Sequence, residues 1–499
     1  YWNLILQQAS EHGSTDLRDR ARLEMAAQGL RTTFDQMSIE QVDKAKEMAS
    51  GDLLKLAPPE TKDLRKLLWS SVDNKESKDL DQIEYAERLS DGNARVLIGI
   101  ADVDIYVPKD TAIDNAARAN TTSVYTGVLT FPMLPDEISC GLSSLLPGQD
   151  RLAVVYELLI SPDGHVLQSQ VYRALTHNYA KLDYKTIGDW LGGLTDVPAQ
   201  VSRVSGLAEQ IKLQVAIKEQ IFGLRKQRGS LFLGSVEARP VTSDGVVLEL
   251  ELEEDNPAKE LIENLMIAAN IAVSEYLDKK NFPSIKRVGR SPDRWDKLVQ
   301  LVKGMGDSLP DKPDARALQL FLMEQRQKDP RHFPDVSLRV VKLLGGGSYE
   351  LDPPGQNNTG HFALAVNDYT HSTAPNRRYV DLITQRLLKA AMDGKAVPYT
   401  DEELTEIAAK CNRQSAAAKK VERTMRKVAA ASLLEHSIGR IYDGIVTGIK
   451  NSAVYVRVVR PPVEGRIVKG QEKLDVGDDV RVRLIKVDEA HAYIDFELV

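Results

Sequence analysis

The spacing of apolar residues changes twice along this chain, which favours several structural units over one compact core. Between Leu17 and Leu30 apolar residues recur at helical spacing, and Ser38-Ile39-Glu40-Gln41 has the S-x-x-Q form of a helix capping box. Pro58-Pro59 ends this pattern, because proline cannot continue a helix. Residues 1–62 are therefore predicted to form a small helical domain, for which a helix-turn-helix or winged helix is one candidate.

The rest of the chain predicts two further domains. After about Leu67 the pattern changes to extended segments and then to mixed helices and strands, so residues 63–432 are predicted to form a large α+β domain. From Ser437 onward, short β-rich runs alternate with Gly, Pro and Asp turns, which predicts a small antiparallel barrel over residues 437–499. The length of 499 residues agrees with a multidomain α+β protein.

Charge and cysteine content limit the classes of function. Lys and Arg number 65 against 72 Asp and Glu, a net charge of −7, so a bound polyanion must be held by local basic patches. The two cysteines, Cys140 and Cys411, cannot build a disulfide framework or a zinc site of usual spacing. No apolar run approaches the roughly 18 residues of a membrane span. We therefore expect a cytoplasmic protein without membrane insertion.

Three aspartates fall within nine residues in the segment from Ser70 to Glu84. In an extended chain Asp79 and Asp81 project to one face, and the polar stretch after Asp73 is turn-prone and could bring a third carboxylate to the same point. Clustered carboxylates without an obvious basic partner repel each other, and a divalent cation such as Mg²⁺ is a common reason to tolerate this. The alternative is a solvated loop, since aspartate is common in turns.

Eight sequence blocks together resemble the catalytic (RNB) domain of the ribonuclease II/ribonuclease R exoribonuclease family. Their order along the chain also agrees with that family. The blocks are residues 70–84 (SSVDNKESKDLDQIE), 99–103 (GIADV), 131–139 (FPMLPDEIS), 142–145 (LSSL), 180–184 (AKLDY), 265–270 (LMIAAN), 360–362 (GHF) and 369–379 (YTHSTAPNRRY).

The resemblance implies a processive hydrolase that degrades single-stranded RNA from its 3′ end to nucleoside 5′-monophosphates, using one or two Mg²⁺ ions. It places Asp73, Asp79 and Asp81 at three of the family's four active-site aspartate positions, with Asp81 as the indispensable residue. The fourth position holds Gln82, whose amide oxygen can still ligate Mg²⁺ but carries no charge. We therefore expect weaker metal binding than four aspartates would give.

The last block adds a candidate for phosphate binding. Pro375 suits the first turn of a helix, which would place Arg377 beside free backbone amides, where it could clamp phosphoryl oxygens. The alternative is a surface arginine paired with Asp381, although the family carries a functional arginine at this position. Ala374 stands where the family usually has serine, which would remove a helix cap. We also expect Arg378 to contact RNA.

Further candidates for RNA contact follow from the resemblance. Tyr125 and Tyr184 align with tyrosines of the family's RNA channel, although each alone would suit a hydrophobic core. Glu422 matches a functional glutamate of the family. Lys419 and Arg423 lie on one face of the same predicted helix, which could equally be a solvated face.

The C-terminal domain resembles an OB-fold module of the S1 RNA-binding type. Tyr455 and Arg457 are its candidate RNA contacts. The whole chain is thus predicted to be a monomeric exoribonuclease acting on single-stranded RNA, without a small-molecule cofactor. Two alternatives stay open: an RNA-binding protein whose catalysis is weakened by Gln82, and a nuclease acting on DNA.

Overall fold

The computed structural model describes residues 16–51, 53–234, 238–243, 246–252, 256–355, 360–450, 453–471 and 474–499. The first fifteen residues of the predicted N-terminal domain lie outside this set. Within it, no helix is long and apolar enough to cross a membrane.

The N-terminal segment is helical, as predicted. Its helices are α1 (Leu17–Ala27), α2 (Gln36–Ala49) and α3 (Leu53–Leu56). The predicted capping box is wrong, because Asp35 caps α2 by accepting the Ser38 N–H, and Ser38 itself is the third helical residue and fully buried. Ala21 and Met25 of α1 pack in one cluster with Val124 and Phe131 of the next domain. The described helices therefore share their core with the large domain.

A six-stranded sheet forms the centre of the large domain. It contains β1 (Lys62–Asp63), β2 (Trp69–Asp73), β3 (Gln82–Arg88) and β4 (Ala94–Ala101). After helix α4 (Ala112–Asn120) and the short hairpin of β5 (Val124–Tyr125) and β6 (Thr130–Phe131), the sheet is completed by β7 (Asp150–Ile160) and β8 (Val166–Asp183). The strand order is β1-β8-β2-β3-β4-β7, and β8 is long enough to pair also with β7. Buried residues of β3 and β4, such as Ile83 and Ile98, place the core against this sheet.

Helices follow the sheet in the chain, and many of them pack against it in one hydrophobic core. They alternate with two short antiparallel strand pairs, residues 238–243 with 246–252 and residues 284–288 with 348–352, and three helices separate the strands of the second pair in the chain. The elements are α5 (Tyr184–Leu191), α6 (Ala199–Ser202), α7 (Leu207–Gln227), β9 (Ala238–Ser243), β10 (Val246–Leu252), α8 (Pro257–Lys279), β11 (Ser284–Val288), α9 (Trp295–Gly304), α10 (Ala315–Lys328), α11 (Phe333–Leu344), β12 (Ser348–Asp352), α12 (Tyr379–Met392) and α13 (Asp401–Leu434).

The C-terminal residues form a closed five-stranded barrel, which confirms the predicted OB-type fold. Its strands pair in the order β13-β14-β15-β17-β16, and valine, isoleucine and phenylalanine side chains fill the interior. The strands are β13 (Ile441–Lys450), β14 (Ala453–Val458), β15 (Val463–Lys469), β16 (Asp479–Asp488) and β17 (Tyr493–Leu498).

Ion pairs attach the barrel to α11 and the residues before it. Arg457 of β14 donates two hydrogen bonds to Asp335, at 2.6 and 3.3 Å, and the two side chains are only 17% and 9% exposed. Arg331 pairs with Asp479 at 2.9 Å. The barrel is thus held at a defined place beside the large domain.

Candidate active site

Strand pairing brings the acidic segment back on itself. Asp73 is the last residue of β2, Asp79 and Asp81 lie in the connection to β3, and Gln82 is the first residue of β3. Because β2 and β3 are antiparallel, with Ser70 opposite Glu84, the end of β2 and the start of β3 meet at one edge of the sheet. The structure thus brings both ends of the segment together.

Local hydrogen bonds hold Asp73. Its Oδ1 accepts from the Asn74 N–H at 2.6 Å and from the Ser77 hydroxyl at 3.0 Å. Burial nevertheless raises the pKa of Asp73, and the nearby Arg377 guanidinium acts in the opposite direction. The loss of hydration on burial therefore changes the pKa of Asp73 more than the neighbouring hydrogen-bond donors do.

Asp81 is the most enclosed of the three aspartates, at 1% exposure. Its Oδ1 accepts from the Asn376 N–H at 2.9 Å, and its Oδ2 accepts from Nε of Arg377 at 3.1 Å. Burial raises the pKa of Asp81 to about 7, although Arg377 lowers it. The expectation that these carboxylates lack a basic partner is therefore wrong. The partner lies 296 positions away in the chain, where a local pattern cannot show it.

Arg377 lies in a turn and not in a helix. Helix α12 begins at Tyr379, so the predicted placement of Arg377 in its first turn is wrong. The alternative pairing with Asp381 is also wrong, because Arg378 makes that pair at 2.7 and 2.9 Å. Asp381 also accepts a hydrogen bond from the Ala374 N–H. Ala374 therefore lies in a turn that Asp381 stabilises and does not cap the helix. The Arg377 side chain stays 46% exposed.

Tyr125 connects two of the predicted site residues. Its hydroxyl donates to Oδ2 of Asp79 at 3.1 Å, and its backbone N–H donates to Oε1 of Glu422 at 3.1 Å. Partial burial and the Asp79 carboxylate raise the pKa of Tyr125, so the hydroxyl keeps its proton. Tyr125 is 42% exposed, which leaves part of its ring open to solvent.

The other predicted RNA contacts lie at different distances from this centre. Tyr184 follows Asp183, the register partner of Asp73 on β8, so it lies near the same strand end. Lys419 and Arg423 are exposed on α13, the helix that carries Glu422. On β14, Tyr455 is half-buried.

Arg457, on the same strand as Tyr455, is engaged in the ion pair with Asp335 described above. Its guanidinium therefore contributes to holding the barrel against α11. A direct RNA contact by Arg457 stays a prediction.

The donor set suits a hard divalent cation. Asp73, Asp79, Asp81 and the buried Gln82 offer oxygen ligands, which Mg²⁺ prefers, although the carboxylate oxygens of the three aspartates do not all lie within 4.8 Å of one another in this structure. Glu84 adds a fully buried carboxyl whose oxygens have no hydrogen-bond partner within the described residues. Burial, together with the Asp73 carboxylate, raises the pKa of Glu84 well above its usual range. A bound cation would stabilise the ionised form of these enclosed carboxyl groups.

A second acidic group has a different explanation. In the described part of the chain, Asp278, Asp352 and Asp368 are the three carboxylates whose oxygens all lie within 4.8 Å of one another. Lys286, only 3% exposed, pairs with all three, at 2.7 Å from Asp368 and 3.4 Å from Asp278. The Lys286 ammonium group therefore already supplies a positive charge to these carboxylates. The three aspartates are far apart in the sequence, so no local pattern marks this cluster.

The fold and the site define a multidomain α+β protein with an acidic centre and an attached OB-type barrel. Comparison with protein families assigns it more closely. The family described as "RNB domain" matches residues 61–394, and that described as "RNase II-type exonuclease C-terminal S1 domain" matches residues 440–499. The chain belongs to the RNB-domain family, as its sequence blocks suggested.

Individual relatives agree with this assignment. Ribonuclease R 1 of Lactococcus lactis is 27% identical over 87% of this chain, which spans only 56% of that relative's length. The structure of Mycoplasma genitalium RNase R in complex with ribose-methylated single-stranded RNA is 24% identical, with a TM-score of 0.84 over 97% of this chain and 78% of that one. Yeast Ssd1, described as a pseudonuclease, is 16% identical, with a TM-score of 0.66 over 87% of this chain and 52% of that protein.

Proposed function

We propose that this chain is a processive 3′-to-5′ exoribonuclease that hydrolyses single-stranded RNA to nucleoside 5′-monophosphates with one or two Mg²⁺ ions. We further propose that it works as a cytoplasmic monomer without a small-molecule cofactor. One observation carries the enzymatic proposal: Asp81, in an acidic segment at the edge of the central sheet, is bound by Arg377 from a turn almost 300 residues later. Acidic metal ligands beside a phosphate-binding arginine are what phosphodiester hydrolysis needs.

Arg377 is suited to bind the scissile phosphate. Its Nε is used by Asp81, whereas its terminal nitrogens have no hydrogen-bond partner among the described residues. A planar guanidinium fixed at Nε can still donate two parallel hydrogen bonds to phosphoryl oxygens. Because charge on those oxygens grows as the bond breaks, these hydrogen bonds stabilise the transition state more than the ground state.

The acidic side chains would hold the cation. Asp73, Asp79, Asp81 and Gln82 would hold Mg²⁺, which would lower the pKa of an attacking water and neutralise phosphoryl charge. In the metal-free site burial raises the pKa of Asp81 to about 7, so near neutral pH a cation would have to displace a proton from this carboxylate. Its two fixed donors, the Asn376 N–H and Arg377, keep this carboxylate in one orientation.

Tyrosine side chains would position the RNA end. The half-exposed ring of Tyr125 stands beside Asp79, so a base stacked on it would place the adjoining phosphate near the acidic segment. Stacking of this kind contributes about 1–3 kcal/mol per base and accepts any base. Tyr184, Arg378, Lys419 and Arg423 are further candidates along the strand, and Tyr455 and Arg457 on the barrel.

The second candidate function is RNA binding with weakened catalysis. Gln82 favours it, because this residue begins β3 at 5% exposure and brings no charge to the cation. The fold is compatible with both functions, since it is shared with proteins described as a ribonuclease and as a pseudonuclease.

The test is degradation of a 5′-labelled RNA with an unstructured 3′ tail in the presence of Mg²⁺. We expect a ladder shortened from the 3′ end and release of nucleoside monophosphates. Asp81→Asn should abolish cleavage and leave RNA binding intact. A deoxy version of the same strand tests the DNA alternative, which gains support if both strands are degraded equally fast.

Gln82→Asp separates the enzyme from the weakened binder. If the parent already cleaves and Gln82→Asp mainly lowers the Mg²⁺ concentration for half-maximal rate, the enzyme proposal holds. A parent without activity under any divalent metal refutes that proposal, and hydrolysis that appears only in Gln82→Asp supports the binding function.

A further inference from the structure

Ser144 binds the acidic segment at two backbone positions. Its hydroxyl donates to the Lys78 carbonyl at 2.7 Å and accepts the Leu80 N–H at 3.0 Å. The backbone adds a third contact, because the Leu145 N–H donates to the Leu80 carbonyl at 3.0 Å. Ser144 is fully buried, so water cannot easily replace these hydrogen bonds. The two residues that flank Asp79 are thus held from the same side.

The preceding serine reaches the other half of the site. Oγ of Ser143 lies 2.6 Å from Oδ1 of Asn376 and 2.7 Å from the Ile138 carbonyl, and its single proton can serve one of these acceptors at a time. Asn376 in turn donates its backbone N–H to Asp81 at 2.9 Å. Two consecutive buried serines therefore contact both chain segments that form the candidate site.

Lys181 fixes the same acidic segment from β8. Its ammonium group donates to the Lys75 carbonyl at 2.8 Å and to the Ser77 carbonyl. These contacts hold the turn between Asp73 and Asp79 without using either carboxylate. The carboxylates are left for other partners while their backbone is restrained.

We propose that Ser143 and Ser144 are positioning residues that hold the acidic segment and the Arg377 turn in one fixed relation. Like charges on Asp73, Asp79 and Asp81 repel each other, so without restraint the segment would spread before a cation arrives. Misplacement of reacting groups by about 1 Å can reduce a rate by about 100-fold. The kinetic consequence rests on the proposed function, whereas the structural consequence does not.

Ser144→Ala tests the restraint, with Ser70→Ala as the matched control. Ser70 is also a buried serine and lies on β2, the strand that leads into the acidic segment. Its hydroxyl has no hydrogen-bond partner within the described part of the chain. Hydrogen–deuterium exchange of metal-free protein should be at least about 10-fold faster over residues 74–82 in Ser144→Ala than in Ser70→Ala. In single-turnover cleavage, Ser144→Ala should lower the rate by about 10- to 100-fold, with RNA affinity within about threefold of the parent.

The outcomes separate this inference from the proposed function. Faster exchange in Ser144→Ala supports the restraint even if the parent proves unable to cleave RNA. Equal exchange in the two variants overturns the restraint, whatever the cleavage assay shows. If Ser144→Ala fails to fold, Ser143→Ala takes its place, with faster exchange over residues 374–378 as the expected result and exchange equal to Ser70→Ala as the contrary one.

Discussion

Removing the Arg377 guanidinium should slow RNA cleavage by two separable effects. In Arg377→Gln, the phosphate loses the terminal nitrogens as donors, and Asp81 loses the Nε hydrogen bond at 3.1 Å. The first effect acts on the transition state and is independent of pH. The second acts through protonation of Asp81, because Arg377 is the main group that lowers the pKa of this buried carboxyl.

The size of each effect follows from the site. Losing one preorganised donor to developing charge costs about 100- to 1,000-fold in rate. Asp81 has a pKa of about 7, so about half of it is ionised at pH 7. An opposite charge lowers a carboxyl pKa by about 1–3 units, and a rise of about 1 unit would leave roughly a tenth ionised at pH 7. This lower ionised fraction of Asp81 should slow cleavage by a further factor of about five at pH 7 and by almost nothing at pH 9.

Single-turnover cleavage at pH 7 and pH 9 measures both effects. The Mg²⁺ concentration should be below half-saturation, so that proton and cation compete for Asp81. We expect the ratio of parent to Arg377→Gln rates to be about fivefold larger at pH 7 than at pH 9. Arg95→Gln, which removes a partly exposed, ion-paired arginine of the same sheet, is the control. An Arg377→Gln rate within threefold of the parent at both pH values would refute the role of Arg377.

Three further predictions concern stability and the attachment of the barrel. Lys286→Met should lower the free energy of unfolding, measured by urea titration, by about 3–5 kcal/mol, because Asp352, which is 2% exposed, loses its cationic partner. Adding Asp352→Asn to the same chain should recover part of this loss. Asp335→Asn should leave Arg457 with an unpaired charge and weaken the attachment of the barrel, although Arg331–Asp479 and the apolar contacts with α13 remain. Small-angle scattering should therefore show a larger fraction of molecules with an undocked barrel, and scattering identical to the parent would contradict this role of the pair. For the metal-free protein, Asp81 binds a proton more tightly when folded than when unfolded, so its contribution is present below about pH 4 and is lost as pH rises through about 7. The stability of Asp81→Asn relative to the parent should accordingly rise by roughly 4 kcal/mol between pH 4 and pH 8, and a constant difference would exclude the raised pKa.

The helices, the α+β centre and the barrel were largely predictable, because each depends on patterns within about ten residues. The alternation of Val454, Val456 and Val458 with half-buried neighbours is one such pattern. Errors occurred where competing local signals were close in sequence. Asp35 and not Ser38 caps α2, and Asp381 braces the turn before α12, so the helix begins four residues after Pro375. The cap of α2 and the start of α12 both depend on which side chain accepts a hydrogen bond from a given backbone N–H. The spacing of residues in the sequence does not determine which side chain does so.

By itself, the sequence determined which residues could do chemistry: a run of aspartates on an extended segment, an arginine after a proline, and a barrel at the end of the chain. Only the tertiary structure decided their partners. Arg377 binds Asp81, Tyr125 joins Asp79 to Glu422, and Arg457 holds the barrel to Asp335. Each of these contacts joins residues more than 40 positions apart. Such contacts are set by how strands and helices pack, because burial of the whole core fixes the position of each segment, whereas local patterns fix only its conformation.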